Sequence, residues 1–197
     1  RISNSNNSGD IRIEGKTSVK GFAVYAGIFG YNASANVQEI EVDGCDNTGN
    51  IYVGDKLIGE LMCGGLFGMF RYNHTVTVSD CNNEGSITIN NQTTKAATVG
   101  GIIGRTWDCP ISFTNCHNKN TATVSHVTNA SADCNAFIGG FAGLFLGDTT
   151  LKQCTNSANV SILGNTTYDA YLGGIVGGFR TKETTLTLED VHNSGQV

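Results

Sequence analysis

Apolar and polar residues alternate in short runs that return at a steady interval along the chain. One run follows an Asn-x-Gly turn, as in Ile11/Ile13, Ile51/Val53, Ile87/Ile89, Ala122/Val124 and Val160/Ile162. A second precedes the next turn, as in Ile40/Val42, Val76/Val78, Ile111/Phe113, Thr149/Leu151 and Leu186/Leu188. Alternation with a period of two puts every other side chain on one face, the pattern of a half-buried strand. Between these runs lies a glycine-rich block: Gly27 to Gly30, Gly64 to Gly68, Gly100 to Gly104, Gly139 to Gly143 and Gly173 to Gly177. Three strand-like stretches per unit are therefore predicted, joined by turn-rich segments of variable length.

The turns carry the same interval. An asparagine recurs at Asn7, Asn47, Asn83, Asn118, Asn156 and Asn193, a step of roughly 37 residues. Two unrelated motifs in one phase identify an internal repeat, with units at about 5–44, 45–80, 81–115, 116–153 and 154–190 and a partial unit at 191–197. A unit of this length with three short strands cannot bury its apolar face alone, so copies must stack. The predicted fold is all-β: a single domain, 1–197, forming a right-handed parallel β-solenoid of about five coils.

Stacking gives each repeated position a column. The asparagine column reads as a ladder whose amides hydrogen-bond from coil to coil at a corner. A calcium site is the competing reading, but it needs carboxylates in register and the column has none. Cys45, Cys81, Cys116 and Cys154 form a second column, read as buried free thiols because in-register parallel neighbours seldom orient their sulfurs for a disulfide. Cys63, Cys109 and Cys134 lie off it, and a Cys109–Cys134 bridge is an open alternative. The glycine block is apolar on both faces, with Cys63, Val99 and Ile138 on one and Leu66, Ile102 and Phe141 on the other. A strand of that kind is buried on both sides, and the expectation is that one column lies outside the coil under a neighbouring segment, subunit or loop.

Composition narrows the function. The chain has 26 glycines, one proline (Pro110) and only 15% charged residues, which disfavours helices. A net charge of −5 without a Lys/Arg cluster argues against a nucleic-acid partner. No apolar run reaches the ~18–20 residues that span a bilayer, and no signal-peptide pattern follows Arg1, so the expectation is a mature product or a segment of something longer. Seven Asn-x-Ser/Thr sequons, at Asn6, Asn32, Asn73, Asn91, Asn129, Asn159 and Asn165, are candidate N-glycosylation sites. The five at Asn32, Asn73, Asn91, Asn129 and Asn165 fall in segments expected to be exposed corners.

Candidate chemistry is sparse. Asp43, Asp80 and Asp190 approach the cysteine column, but Asn115 and Gln153 occupy the intermediate coils and no basic residue shares their phase. Polysaccharide-cleaving β-helices need carboxylates grouped with Arg or Lys on one face. His74, His117, His126 and His192 do not cluster, although His117 and His192 share a column. No Cys/His spacing suits zinc, and the glycine blocks lack the Lys-Ser/Thr of a phosphate loop. No catalytic residue, metal or cofactor is expected.

The succession Cys81-Asn82-Asn83-Glu84-Gly85-Ser86-Ile87, then Gly100 to Gly104, with Gly173 to Gly177 as a further match, resembles the GLUG-type glycine-rich repeats of bacterial and protist surface and adhesin-like proteins. The resemblance covers essentially the whole chain and departs in the fourth repeat, where Asn120 replaces the turn glycine. It implies a secreted or cell-surface solenoid and carries over no catalytic residue. Two roles are expected from it and from the uncapped repeat: an extracellular fibre built by end-to-end stacking, or the passive arm of an adhesin. In the second, corner loops such as Ser125 to Asn135 would meet a glycan or host-surface ligand.

Overall fold

A computed structural model describes residues 1–14, 21–32, 36, 39–54, 59–72, 74–90, 96–119, 121–128, 135–164, 169–180 and 184–197, with the backbone alone for 127 and 128. The chain is a parallel β-solenoid, all-β among the described residues. One coil shows the plan, in the order Thr75–Ser79, Asn82–Asn83, Ile87–Asn90, Ala97–Gly100 and Ile103–Trp107. Each stacks on its counterparts in the coils before and after, giving five parallel sheets, named A to E in that order. Sheets A and B hold six strands; C, D and E hold five. The three expected stretches are thus present, with two refinements. The asparagine position makes a two-residue bridge of its own, sheet B, and the glycine block divides into sheets D and E.

That division explains why the glycine block is apolar on both faces. The chain bends at the second glycine, so that D and E lie back to back and line different cores. The inward residues of D, such as Leu61, Cys63, Val99 and Ile138, join Ile51, Ile87, Ile89 and Val124 of sheet C in one core. Leu66, Phe67, Ile102, Ile103 and Phe141, at the bend and in E, join Val76, Val78, Phe113 and Leu151 of sheet A and the cysteine column in another. Each coil therefore has two lobes. No outside segment is needed: the expected external cover is supplied by the coil itself, one face of the block lining each lobe.

The backs of D and E press together. A Cβ on Gly104, Gly143 or Gly177 would lie closer than 3.0 Å to backbone atoms of Cys63, Val99 or Ile138 in sheet D. Glycine is required there because two backbones meet where side chains would normally separate them.

The register corrects one alignment. Val124 pairs with Ile87 and Val160, and His126 with Ile89 and Ile162. The apolar pair assigned above to Ala122 and Val124 is displaced by two residues. The fourth repeat has two extra residues between Asn118 and its strand, where the others have a short Asn-x-Gly turn or, at Asn156, Asn-x-Ala. The displacement places His126 in an inward column otherwise made of Val53, Ile89 and Ile162.

Candidate functional site

Three columns meet at the waist between the lobes. In the first, Asn7, Asn47, Asn83, Asn118 and Asn156 each donate from Nδ2 to Oδ1 of the next asparagine, at 2.7–2.9 Å, as far as Asn193. The same amides reach a carbonyl two residues on, as in Asn83 Nδ2 to Gly85 O at 2.8 Å. Asn118 instead reaches Gly140 O, 2.7 Å away. Asn47, Asn83, Asn118 and Asn156 are fully buried. Buried amides stay favourable only with every polar atom paired, and stacking accomplishes this with one residue type.

The second column, Gly27, Gly65, Gly101, Gly140 and Gly174, lies against the first. A Cβ on any of them would come closer than 3.0 Å to the facing asparagine amide. The second glycine of each block and the asparagine are therefore one device. The amide fills the space that the missing side chain leaves.

The third column sits at the exit from sheet A. Asn4, Asp80, Asn115, Gln153 and Asp190 adopt φ of 49–54°, and Gly44 has φ 60°. This left-handed conformation favours glycine and the short polar residues that bond their own backbone. The turn aims the next side chain inward, and its thiol donates to the carbonyl two residues back. Cys45, Cys81, Cys116 and Cys154 reach Asp43, Ser79, Thr114 and Lys152 O at 3.0–3.5 Å. Ser5 does the same in the first coil, reaching Ser3 O at 3.1 Å. Asp80 and Asp190 are consequently turn formers, and Asp43 accepts from Ser79 Oγ at 2.7 Å.

All six described cysteines are buried free thiols; Cys134 lies outside the described residues. Burial pushes Cys63 upward and carries Cys109 to about 11. Hydrogen bonds with Cys154 and Cys81, together with burial, raise Cys116 as well. Cys81 and Cys154 are shifted the other way by their hydrogen bonds with Cys116, so for them it is burial that blocks access to a reagent, whereas the raised thiols are also poor nucleophiles. With Cys134→Ser removing the seventh thiol, the native protein at pH 8 is expected to consume an aromatic disulfide reagent only at its unfolding rate. A fast phase of even one equivalent would contradict the burial of the column.

The sequons separate by geometry. Asn6 and Asn159 are exposed, and each uses only its Oδ1, accepting from Asp46 N at 3.3 Å and Gln196 N at 3.0 Å. The Nδ2 that would carry a glycan makes no hydrogen bond in either among the described residues. Asn32 is the correction, because it is buried rather than at an exposed corner. Its Nδ2 donates to Arg71 O and its Oδ1 accepts from Arg71 N, both at 2.7 Å, so the amide stands in for a peptide group of an edge strand. Asn73, Asn91, Asn129 and Asn165 lie outside the described residues. So does most of the loop expected at Ser125 to Asn135: Ser125 and His126 belong to the strand Thr123–Thr128, and 129–134 are not described.

The histidines remain apart. His117 and His192 flank Thr155 in sheet B and border an open cleft of about 640 Å³ with Asp80, Asn115, Gln153 and Asp190. His117 is committed on both ring nitrogens, to Thr155 Oγ1 and Asn115 Oδ1 at 2.9 Å each. Burial, and then Lys119, hold its pKa below the ordinary histidine value, so it is a neutral hydrogen-bonding group. His74 is buried beneath Tyr72. His126 is fully buried with neither ring nitrogen paired, and burial lowers its pKa to about 4. No group of three His, Cys, Asp or Glu suited to a metal occurs among the described residues.

Sequence reasoning missed the left-handed column and a cluster of arginines around Trp107. The first had a legible signal: a residue tolerant of positive φ stands just before every member of the cysteine column. The second had a partial one: Arg71 and Arg180 each stand six residues after the second glycine of their blocks, the position Trp107 holds in the third repeat, while Arg105 lies two residues before it.

These features define a parallel β-solenoid repeat protein with a buried amide ladder. No family model matches the chain, and no curated relative or solved structure matches it. Among the described residues there is no helix long and apolar enough to cross a membrane.

Proposed function

We propose that the chain is a structural element of an extracellular or cell-surface fibre, glycosylated where sequons are exposed, in which β-solenoid coils continue by stacking end to end. The observation that carries the reading is the state of the terminal coils. At one end Leu172, Phe179 and Leu188 are exposed, whereas their counterparts in the preceding coil, Ile138, Phe145 and Leu151, are buried. Both ends present unpaired strand edges, which favour the addition of another strand. Among the described residues the two end members of the ladder make only local bonds on their outer sides: Asn7 Oδ1 accepts from Gly9 N and Asn193 Nδ2 donates to Gly195 O, leaving each able to join a further asparagine. A further coil of the same kind, from a second copy or the same polypeptide, satisfies apolar surface, strand edge and ladder together.

The role is structural rather than catalytic. Asp80 and Asp190 shape turns, His117 is neutral and doubly bonded, and the thiols are buried. Electron microscopy of native material tests the proposal. Continuous filaments of solenoid width support it; isolated particles at every protein concentration would replace it with the passive arm of an adhesin.

A further inference from the structure

One patch stands outside the stacking device and is independent of that reading. In a chain of net charge −5, three guanidiniums gather near the outer end of sheet E, and among the described residues one carboxylate, Glu60, pairs with any of them. Arg71 pairs in register with Trp107, the chain's one tryptophan, and its guanidinium lies 4.9 Å from that ring and 5.1 Å from the ring of Tyr72. Arg105, on the same strand as Trp107, lies 4.2 Å from the indole. Its Nη1 takes Glu60 at 3.0 Å, while its buried Nε has no partner. Arg180 follows the strand Val176–Phe179, two coils beyond Trp107, and is exposed. Arg71 and Arg180 form no ion pair among the described residues, and Asp108, next to Trp107, pairs with none of the three.

The charges are mutually felt. Burial holds the Arg105 guanidinium below its ordinary range, Glu60 opposes this, and Arg71 and Arg180 push it lower again. Cations held together without matching carboxylates are unfavourable until an anion arrives. The indole fixes two of them in place, since an arginine over an aromatic face loses freedom and gains attraction.

The arrangement also has a direction. From Arg71 to Arg180 is three coil steps, or ~14 Å along the solenoid axis at the ~4.8 Å spacing of adjacent strands. A small anion spans one or two such steps at most; a straight polymer running along the axis reaches them all. Beside the cations lie Tyr31, Tyr72 and Trp107, all half-buried. Their hydroxyls and ring edges suit the alcohol groups and C–H faces of sugars.

We propose that Arg71 and Arg180, organised by Trp107 and by the buried Arg105 held against it, form a binding strip for a linear anionic polysaccharide whose carboxylate or sulfate groups pair with these two guanidiniums. Bidentate pairing to either anion is the geometry for which arginine is suited. The test uses the intrinsic fluorescence of Trp107 in the full chain, where a single tryptophan makes the signal local. Polygalacturonate or dextran sulfate is expected to shift the emission saturably, at a charge concentration at least tenfold below that required of sodium sulfate. Neutral dextran gives no shift, and added salt weakens the response by screening. Arg180→Gln alone, at an exposed site, should weaken binding severalfold, and Arg71→Gln with Arg180→Gln at least tenfold, with circular dichroism and unfolding midpoint unchanged. Equal potency of sodium sulfate would reduce the strip to a small-anion site. Equal potency of poly-L-glutamate or single-stranded DNA would remove the assignment to a saccharide. No emission change, or undiminished binding by the double variant, would overturn the proposal entirely.

Discussion

Asn83→Ala is expected to lower the unfolding free energy by about 3–5 kcal/mol, far more than truncation of an exposed asparagine. Asn83 is fully buried and makes three hydrogen bonds: to Asn118 Oδ1, to Gly85 O, and from Asn47 Nδ2, each at 2.8 Å. Removing the amide leaves one donor and two acceptors without partners, each costing about 1–3 kcal/mol where water cannot enter. Asn193, at the open end, is exposed, so Asn193→Ala should cost about 1 kcal/mol or less. Equilibrium denaturation of both variants beside the parent measures the difference, followed by at least two probes because stacked repeats need not unfold in one step. Equal losses would mean that the ladder contributes no more in the core than at the edge. The glycine side of the device predicts a companion result. Gly101→Ala should be as damaging, and Asn118→Ala should fail to rescue it, because the new methyl also meets Gly140 O.

The second large effect depends on pH. His126 is held at about 4 in the folded chain, whereas an unfolded histidine titrates near ~6.5. As pH falls the unfolded state takes up the proton first, so stability from this group is complete above pH ~6.5 and is lost progressively down to pH ~4. The loss over that window is about 3 kcal/mol. His126→Ile replaces the ring with the residue found at positions 89 and 162 of the same column. It should raise stability at neutral pH by about 1–3 kcal/mol, since two unpaired buried nitrogens disappear. It should also remove most of the decline between pH 6.5 and 4. Comparing the variant with the parent at each pH subtracts the background from His117 and the carboxylates. Parallel pH profiles would show that His126 is not buried neutral.

Much of this molecule is legible in its sequence because a stacked fold writes each structural position as a column. The asparagines, the cysteines and the alternating residues of sheets A and C appear once the period is found. What is lost is whatever the period does not encode. The bend that separates sheets D and E falls inside a glycine run, and glycine carries no side chain from which to read a face. The two-residue insertion after Asn118 hides His126, which becomes conspicuous only when Val124 is aligned with Ile87. Asn32 has the appearance of a glycosylation site because its triplet is right; its burial depends on Arg71, a whole coil away. The arginine strip is half visible: Arg71, Trp107 and Arg180 share one repeat position, but Arg105 lies off it and the intervening coil carries Leu146 there.

The amide ladder also makes the molecule sensitive to time. Asparagine side chains hydrolyse slowly to aspartate, and the column concentrates the protein's internal order in a file of such groups. Conversion of one central member would exchange a donor for a second acceptor facing the carbonyl oxygen of its neighbour, in a place where no water can compensate. The damage would pass to the glycine bend pressed against it and so reach both lobes of the coil. Rigid packing protects these amides, because hydrolysis through a cyclic intermediate requires the backbone to turn back on the side chain. Members whose amides are exposed, such as Asn193, have the least such protection, so hydrolysis should reach them before the buried ones.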